Sequence, residues 1–385
     1  MKPVEIKKDI YWVGAIDWDL RNFHGYSTQR GSTYNAYLII DEKITLVDTV
    51  KEYKTQEMLE RISKIIDPKK IDYIISNHVE MDHSGALSEI LKLAPNAKIF
   101  ATPNGIKGLK LHYKKDWNFE EIKELNIGKR NLHFVPIPMV HWPDSMVTYV
   151  AEDKLLFPND AFGQHLAASE RFDDEVEFDL LMSEAAKYYA NIVLPFGNQV
   201  QKALAAVSAL DIDMIAPSHG MIWRKNIKEI IEKYKKWSLN IPTKKAVIIY
   251  DTMWHSTEEI AKTIYNVFED KNIKVVMRNL QTNHISDIML DILEAEYICV
   301  GSPTLNNNML PTVAEFLTYL KGLAPKNRKA FAFGSYGWGG QSVGQINDIL
   351  KDANFEIILE PIRINYVPEK ADLERIKEEI KNVIK

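Results

Sequence analysis

The sequence predicts two mixed domains: an α+β first domain, then an α/β second domain whose parallel sheet is covered on both faces. Three observations predict this. The chain has 385 residues, too many for one ordinary domain. The polar, proline-containing stretch Ser238-Leu239-Asn240-Ile241-Pro242-Thr243-Lys244 reads as a linker. Short strands interrupted by helices precede it, whereas strand and helix strictly alternate after it. The expected domains are 1–240 and 245–385.

In the first domain the expected strands are 34–40, 44–48, 71–76, 97–101, 131–136 and 146–150, short apolar runs bounded by turn residues. Helical spacing of apolar residues marks 56–66, 87–93, 179–192 and 199–209. An amphipathic helix over 227–237 closes the domain. After the linker, Ala246-Val247-Ile248-Ile249-Tyr250 is a continuous β-type run. Strands 274–280, 297–301, 329–333 and 355–364 follow, with helices between them and a final helix over 370–383. Five strands in about 140 residues suit a flavodoxin-like doubly wound parallel sheet.

Composition excludes several classes. The chain is 46% hydrophobic and 26% charged, as in soluble globular proteins. A net charge of -5 gives no reason to expect nucleic acid or an anionic membrane as partner. No apolar run approaches ~18 residues, so no transmembrane helix is expected. The N-terminus lacks the apolar centre of a signal peptide, and the cytoplasm is the expected compartment. The single cysteine, Cys299, cannot form an internal disulfide. One thiol also excludes a rubredoxin-type or iron–sulfur module within this chain, since those need several thiolates. Cys299 itself reads as a small buried hydrophobe.

The densest chemistry lies in His78-Val79-Glu80-Met81-Asp82-His83. It follows the apolar run Ile71-Asp72-Tyr73-Ile74-Ile75, so four metal-binding side chains sit in a loop at a buried strand's end. His141, Asp160 and His219 also follow apolar, strand-like runs. The set is four imidazoles and three carboxylates. A carboxylate can bridge two metals through its two oxygens, which an imidazole does not readily do. Carboxylate-rich sets with open positions suit iron, although affinity order alone favours zinc.

This arrangement resembles the metallo-β-lactamase superfamily, in which strand-end loops from two halves of an αβ/βα sandwich converge on one dinuclear pocket. Its hydrolases carry His-x-His-x-Asp-His, and here Glu80 stands at the second histidine. With a flavodoxin-like domain following, the chain resembles a flavodiiron protein, or A-type flavoprotein, over nearly its whole length. The resemblance implies one iron on His78, Glu80 and His141, and another on Asp82, His83 and His219, with Asp160 bridging. It places His24 close to the pocket, where proton delivery and a plain loop role both stay open. His165, shortly after the bridge, is a second candidate for a catalytic role. Asp48 either hydrogen-bonds a ligand or caps its strand. His112, His133 and His284 have no constellation around them.

Three loops at strand ends form the flavin constellation. The first, Tyr250 to Thr257, carries Thr252, Met253, Trp254, His255, Ser256 and Thr257. Hydroxyls and free N–H groups at the following helix start suit a monophosphate, although a Ser/Thr helix cap looks similar. The second follows the third strand with Ser302, Pro303, Thr304, Leu305, Asn306 and Asn307. The third follows the fourth strand with Ser335, Tyr336, Gly337, Trp338, Gly339 and Gly340. Glycines let backbone approach a planar ring, and Tyr336 or Trp338 can stack on it. The resemblance implies that these segments hold FMN.

Reduction of dioxygen to water takes four electrons, which a ferrous pair and a reduced FMN together contain. The resemblance therefore implies a dioxygen reductase. It implies too a head-to-tail homodimer or a dimer of dimers, with the flavin of one subunit beside the irons of the other. Relatives in methanogenic archaea take hydride from the reduced deazaflavin coenzyme F-420, and that coenzyme is the expected donor. Three alternatives stay open: a nitric oxide reductase with the same ligands, a zinc hydrolase, and a one-electron carrier with an idle first domain.

Overall fold

The computed structural model describes residues 2–384. It divides into two compact units, one of Met1–Tyr189 with Phe196–Ser238, the other of Ala190–Pro195 with Leu239–Lys385. Among the described residues, no helix is long and apolar enough to cross a membrane.

The first unit contains two large sheets. A seven-stranded sheet runs in the order Val4–Lys7, Ile10–Trp12, Tyr37–Ile39, Thr45–Val47, Tyr73–Ile75, Lys98–Ala101 and Phe119–Glu121. It is antiparallel up to Thr45–Val47 and parallel beyond. A five-stranded sheet runs Leu125–Asn126, Asn131–Pro136, Met146–Val150, Leu155–Phe157 and Met214–Ile215. Side chains alternate across a strand, and that period sorts the core. Leu46, Ile74 and Ile99 pack with Met58, Ile62, Leu87 and Ile90 of the helices. Their neighbours Val47, Ile75 and Phe100 pack instead with Met146, Val150, Leu155 and Phe157 of the second sheet. Helices cover one face of the first sheet and the second sheet covers the other.

The second unit holds one parallel sheet in the order Lys274–Asn279, Thr243–Tyr250, Ala295–Gly301 and Lys329–Tyr336. Both Glu356–Ile357 and Ile362–Asn365 pair with Lys329–Tyr336. The first strand is thus central, and the chain reverses direction between first and third, the doubly wound switch point.

Several expected elements differ. The single strand expected over 355–364 is two pieces, because Pro361 has no N–H to donate to a ladder. The strand expected over 34–40 divides into Ser32–Tyr34, paired with Ala15–Asp17, and Tyr37–Ile39 in the large sheet. Asn35 lies at the break, where its Nδ2 donates to Pro217 O and Gly220 O, at 2.8 and 3.1 Å. That break ties the strand to the His219 loop. The helix expected over 56–66 is Thr55–Ile62, and that expected over 179–192 is Phe178–Tyr188 followed by the wider turn Tyr189–Val193. Pro103–Tyr113 is a helix that hydrophobic spacing did not reveal. Its signal was local: Thr102 caps it, accepting Gly105 N–H at 3.0 Å, and Pro103 takes the first helical position. Strand Thr243–Tyr250 begins inside the stretch read as linker.

Candidate functional site

The loops after Tyr73–Ile75, Asn131–Pro136, Leu155–Phe157 and Met214–Ile215 bring seven ligand-type side chains together. They form two groups, His78, Glu80, His141 with Asp160, and Asp82, His83 with His219. All four imidazoles turn Nε2 inward. Glu80 Oε2 lies 3.4 Å from both His78 Nε2 and His141 Nε2. Asp82 Oδ2 lies 3.3 Å from His83 Nε2 and 3.2 Å from His219 Nε2. Asp160 divides between the groups. Its Oδ2 is 3.2 Å from His141 Nε2 and 3.6 Å from His78 Nε2. Its Oδ1 is 2.9 Å from His83 Nε2 and 3.4 Å from His219 Nε2.

Most of these separations are long for hydrogen bonds. They match the edges of a coordination polyhedron, since donors about 2.1 Å from a shared metal stand roughly 3.0–3.4 Å apart. His78 Nε2, His83 Nε2 and Asp82 Oδ1 are buried with no hydrogen-bond partner among the described residues. Burying such groups unpaired costs about 1–3 kcal/mol each. The donor set therefore fits a pair of divalent ions.

Charge in the cluster is strongly coupled. Burial alone would push the His78 imidazole down, but Asp144, Glu80 and Asp160 outweigh it and raise the pKa to about 10. His141 is likewise raised to about 10, against burial, by Asp160 and Glu80. Burial would raise Asp160, yet His83 and His141 hold it well below the usual carboxylate range.

Further groups orient the ligands. Asp144 Oδ2 accepts from Val79 N–H at 2.8 Å and lies 2.9 Å from His78 Nδ1. Thr33 O lies 2.7 Å from His219 Nδ1. Ser218 Oγ donates to Asp160 Oδ1 at 3.0 Å. Tyr188 is buried against Asp160, and burial with that charge pushes its phenol well up. Sequence reading missed all four. Asp144 was findable, as the carboxylate just after His141-Trp142-Pro143. A backbone carbonyl such as Thr33 O leaves no sequence signal.

His24 sits at the rim, 74% exposed, with Nε2 3.5 Å from Glu80 Oε1. It lines a cavity of about 580 Å³ with Phe23, Lys51, Tyr53, Asp82 and Trp142. His112, read as isolated, lines the same cavity. His165 is buried outside both ligand groups. Its Nδ1 lies 2.7 Å from Ser32 Oγ, and its ring lies 4.9 Å from that of His219. Burial and the nearby His219 hold its pKa well below the usual imidazole value, so it is neutral. Asp48 holds Asn77 and Asn159 and makes no hydrogen bond to a ligand side chain among the described residues. His284 caps helix Ile285–Ile292, and His133 lies 3.8 Å from Glu124.

In the second unit, a cavity of about 630 Å³ is lined by Met253, Trp254, Ser256, Pro303, Thr304, Leu305, Asn306, Asn307, Ser335, Tyr336, Gly337 and Trp338. Tyr366 and Val367, which sequence reading missed, complete the wall. Thr252, His255, Thr257, Ser302, Gly339 and Gly340 are not in that lining. Thr257 Oγ1 bonds Ser335 Oγ at 2.9 Å, and Leu310 N–H donates to Ser302 Oγ at 2.9 Å. His255 holds Glu258 at 2.7 Å. Thr252 Oγ1 is buried and has no partner among the described residues. Trp254 and Trp338 are 86% and 81% exposed, large apolar planes at the mouth of a ligand-sized cavity. Those features fit a planar ring and a phosphate.

This fold and these two sites define a dinuclear-metal oxidoreductase joined to a flavodoxin-like domain. A family profile described as ODP family beta lactamase matches residues 33–220, and a flavodoxin profile matches 248–379. A nitric oxide reductase of Moorella thermoacetica is 47% identical over 98% of this chain and 97% of its own length. The solved rubredoxin oxygen:oxidoreductase of Desulfovibrio gigas is 42% identical, with a TM-score of 0.97 over 99% of this chain and 97% of that one. The flavodiiron protein of Giardia intestinalis is 34% identical, also with a TM-score of 0.97, over 100% and 96%. The chain belongs to the flavodiiron protein family.

Proposed function

We propose that this chain reduces dioxygen to water, using two irons held within residues 1–240 and an FMN held within residues 245–385. The observation that carries the reading is the divided carboxylate of Asp160, one oxygen facing each imidazole–carboxylate group. His78, Glu80 and His141 would hold one iron, and Asp82, His83 and His219 the other. Three carboxylates neutralise most of the charge of two divalent ions. The loops carrying Thr252, Ser256, Asn306, Tyr336 and Trp338 would hold the FMN. When bound, two ferrous ions and a reduced FMN supply the four electrons that convert dioxygen into two waters.

The chain's own groups handle protons and shape. His24 Nε2, exposed and 3.5 Å from Glu80 Oε1, passes protons between solvent and the site. His165, neutral and walled in by aromatic rings, holds the His219 ring in place. Residues 1–385 hold one cysteine, too few for a thiolate-ligated relay among them, and the electron donor is taken to act at FMN. We assign that donor as reduced coenzyme F-420 and the assembly as a head-to-tail homodimer or a dimer of dimers. Nitric oxide is the second substrate reading, favoured by the name of the Moorella relative.

The test is anaerobic preparation with iron, zinc and FMN quantified, then stopped-flow oxidation by each gas with reduced deazaflavin as donor. Zinc-only protein, or no oxidation above a metal-free control, rejects the proposal. Faster turnover with nitric oxide selects the second reading.

A further inference from the structure

The second and third flavin loops share one support. Helix Gln341–Asp352 starts where the third loop ends. Gly339 and Gly340 make that junction at φ of +92° and +74°, backbone that glycine adopts without strain. Ser342 and Gln345 stand three apart near the helix start, so they share one of its faces. Both reach across to the second loop. Ser342 Oγ donates to Ser302 O at 3.2 Å and lies 2.8 Å from Thr304 Oγ1. Gln345 Nε2 donates to Asn307 O at 3.2 Å and to Asn308 Oδ1 at 3.0 Å. Gln345 Oε1 accepts Met309 N–H at 3.1 Å.

The segment that Gln345 holds is a tight reversal. Asn306 and Asn307 have φ of +51° and +60°, as the central pair of a type I′ turn requires, and asparagine tolerates that region. Leu305 and Asn308 exchange N–H···O bonds, both at 2.9 Å. Asn308 Nδ2 donates to Asn306 O at 3.0 Å. A lone short hairpin is marginal in water, and residues 305–308 are all exposed. Three bonds from one half-buried side chain therefore fix its shape and place. Leu305, Asn306 and Asn307 line the 630 Å³ cavity together with Tyr336, Gly337 and Trp338 of the third loop, whereas Gln345 is not in that lining.

We infer that Gln345 is a positioning residue for the flavin ring: it fixes the Leu305–Asn308 turn to the helix that follows the third loop, so both loops hold their places before flavin arrives. Ser342 does the same at the base of the second loop. The inference rests on the proposed FMN for its ligand. A loop already in place needs no ordering when the ring binds, and that saving appears as affinity. Gln345 also holds the Asn307 carbonyl. Released, that dipole can turn beside a ring whose electron density depends on its redox state, so the oxidised and reduced forms are affected unequally.

The test titrates the full chain, freed of flavin, with FMN and with riboflavin, which has the ring but no phosphate. Gln345→Ala is expected to weaken both flavins by the same factor, about threefold or more, because the first loop is untouched. The ratio of reduced to oxidised FMN affinity should change as well. Amide exchange at Asn308 and Met309 should quicken in the flavin-free variant, with far-UV circular dichroism unaltered. Ser342→Ala, which keeps the Gln345 bonds, should give a smaller parallel loss, and it carries the test if the first variant misfolds. A variant that binds both flavins as tightly as the unsubstituted protein, or that loses affinity for FMN alone, overturns the inference and leaves the proposed function standing. Weaker binding with the reduced-to-oxidised ratio unchanged marks general loosening and overturns it too. Unsubstituted protein that takes up neither flavin overturns the proposed function, and the role in flavin binding falls with it.

Discussion

Asp144→Ala separates the two halves of the metal centre. The Asp144 side chain is 4% exposed, and its Oδ2 serves both Val79 N–H at 2.8 Å and His78 Nδ1 at 2.9 Å. No comparable link from Asp144 to His83 or His219 is present among the described residues. Losing a carboxylate that orients a ligating imidazole lowers metal affinity about 10- to 100-fold, or about 1.4–2.8 kcal/mol. The Val79 N–H, left buried and unpaired, costs a further ~1–3 kcal/mol of folding stability. The expected outcome is asymmetric: an iron held, as proposed, by His78, Glu80 and His141 weakens, and one held by Asp82, His83 and His219 does not. A chelator titration of the iron-loaded variant, read as iron retained per subunit, should become biphasic. A single transition at the unsubstituted protein's chelator concentration would refute the argument. So would equal loss of both irons, because the halves would then not be independent.

Three further outcomes follow from other parts of the molecule. Gly220→Ala places a Cβ 1.9 Å from Gln164 Oε1 at a φ of +77°, and Gln164 cannot retreat because it holds Met221 N–H. Left-handed strain and overpacking should together cost about 2–5 kcal/mol in urea unfolding, with loss of metal from the His219 half. Trp338→Ala removes an 81% exposed side chain, so stability should change by less than ~0.5 kcal/mol. FMN affinity, measured by fluorescence titration, should nonetheless fall about fivefold or more, as for a lost stacking contact worth ~1 kcal/mol. Cys299 is buried, and burial pushes its thiol well above its ordinary value of 9.0. It should resist thiol reagents at pH 8 until the protein is unfolded. Because the folded pKa is the raised one, this group's stabilisation is full below pH 9.0 and is lost as pH rises above it. A Cys299→Ala variant that kept the same alkaline fall in melting temperature would show that the thiol does not contribute.

Local patterns carried the sequence reading where a residue's neighbours in the chain are also its neighbours in space. The run Ile71 to Ile75 announced a buried strand, and the strand found is Tyr73–Ile75. The alternation after residue 245 announced a parallel sheet, which is what forms. Reading failed where distant chain segments decide the outcome. The 34–40 run looks like one strand, but Asn35 is drawn off by Pro217 O and Gly220 O, residues no local window contains. Nor does local composition show that Leu310 N–H donates to Ser302 Oγ, or that Thr257 Oγ1 bonds Ser335 Oγ, a residue far along the chain.

The sequence by itself determined the kinds of donor, their order along the chain and their place after strand ends, because side-chain chemistry and hydrophobic period are local properties. Only the tertiary structure decided which donors share a group, that Asp144 orients His78, and that Gln345 holds the second flavin loop. Those depend on how sheets and helices pack, and packing brings together segments that the chain keeps far apart.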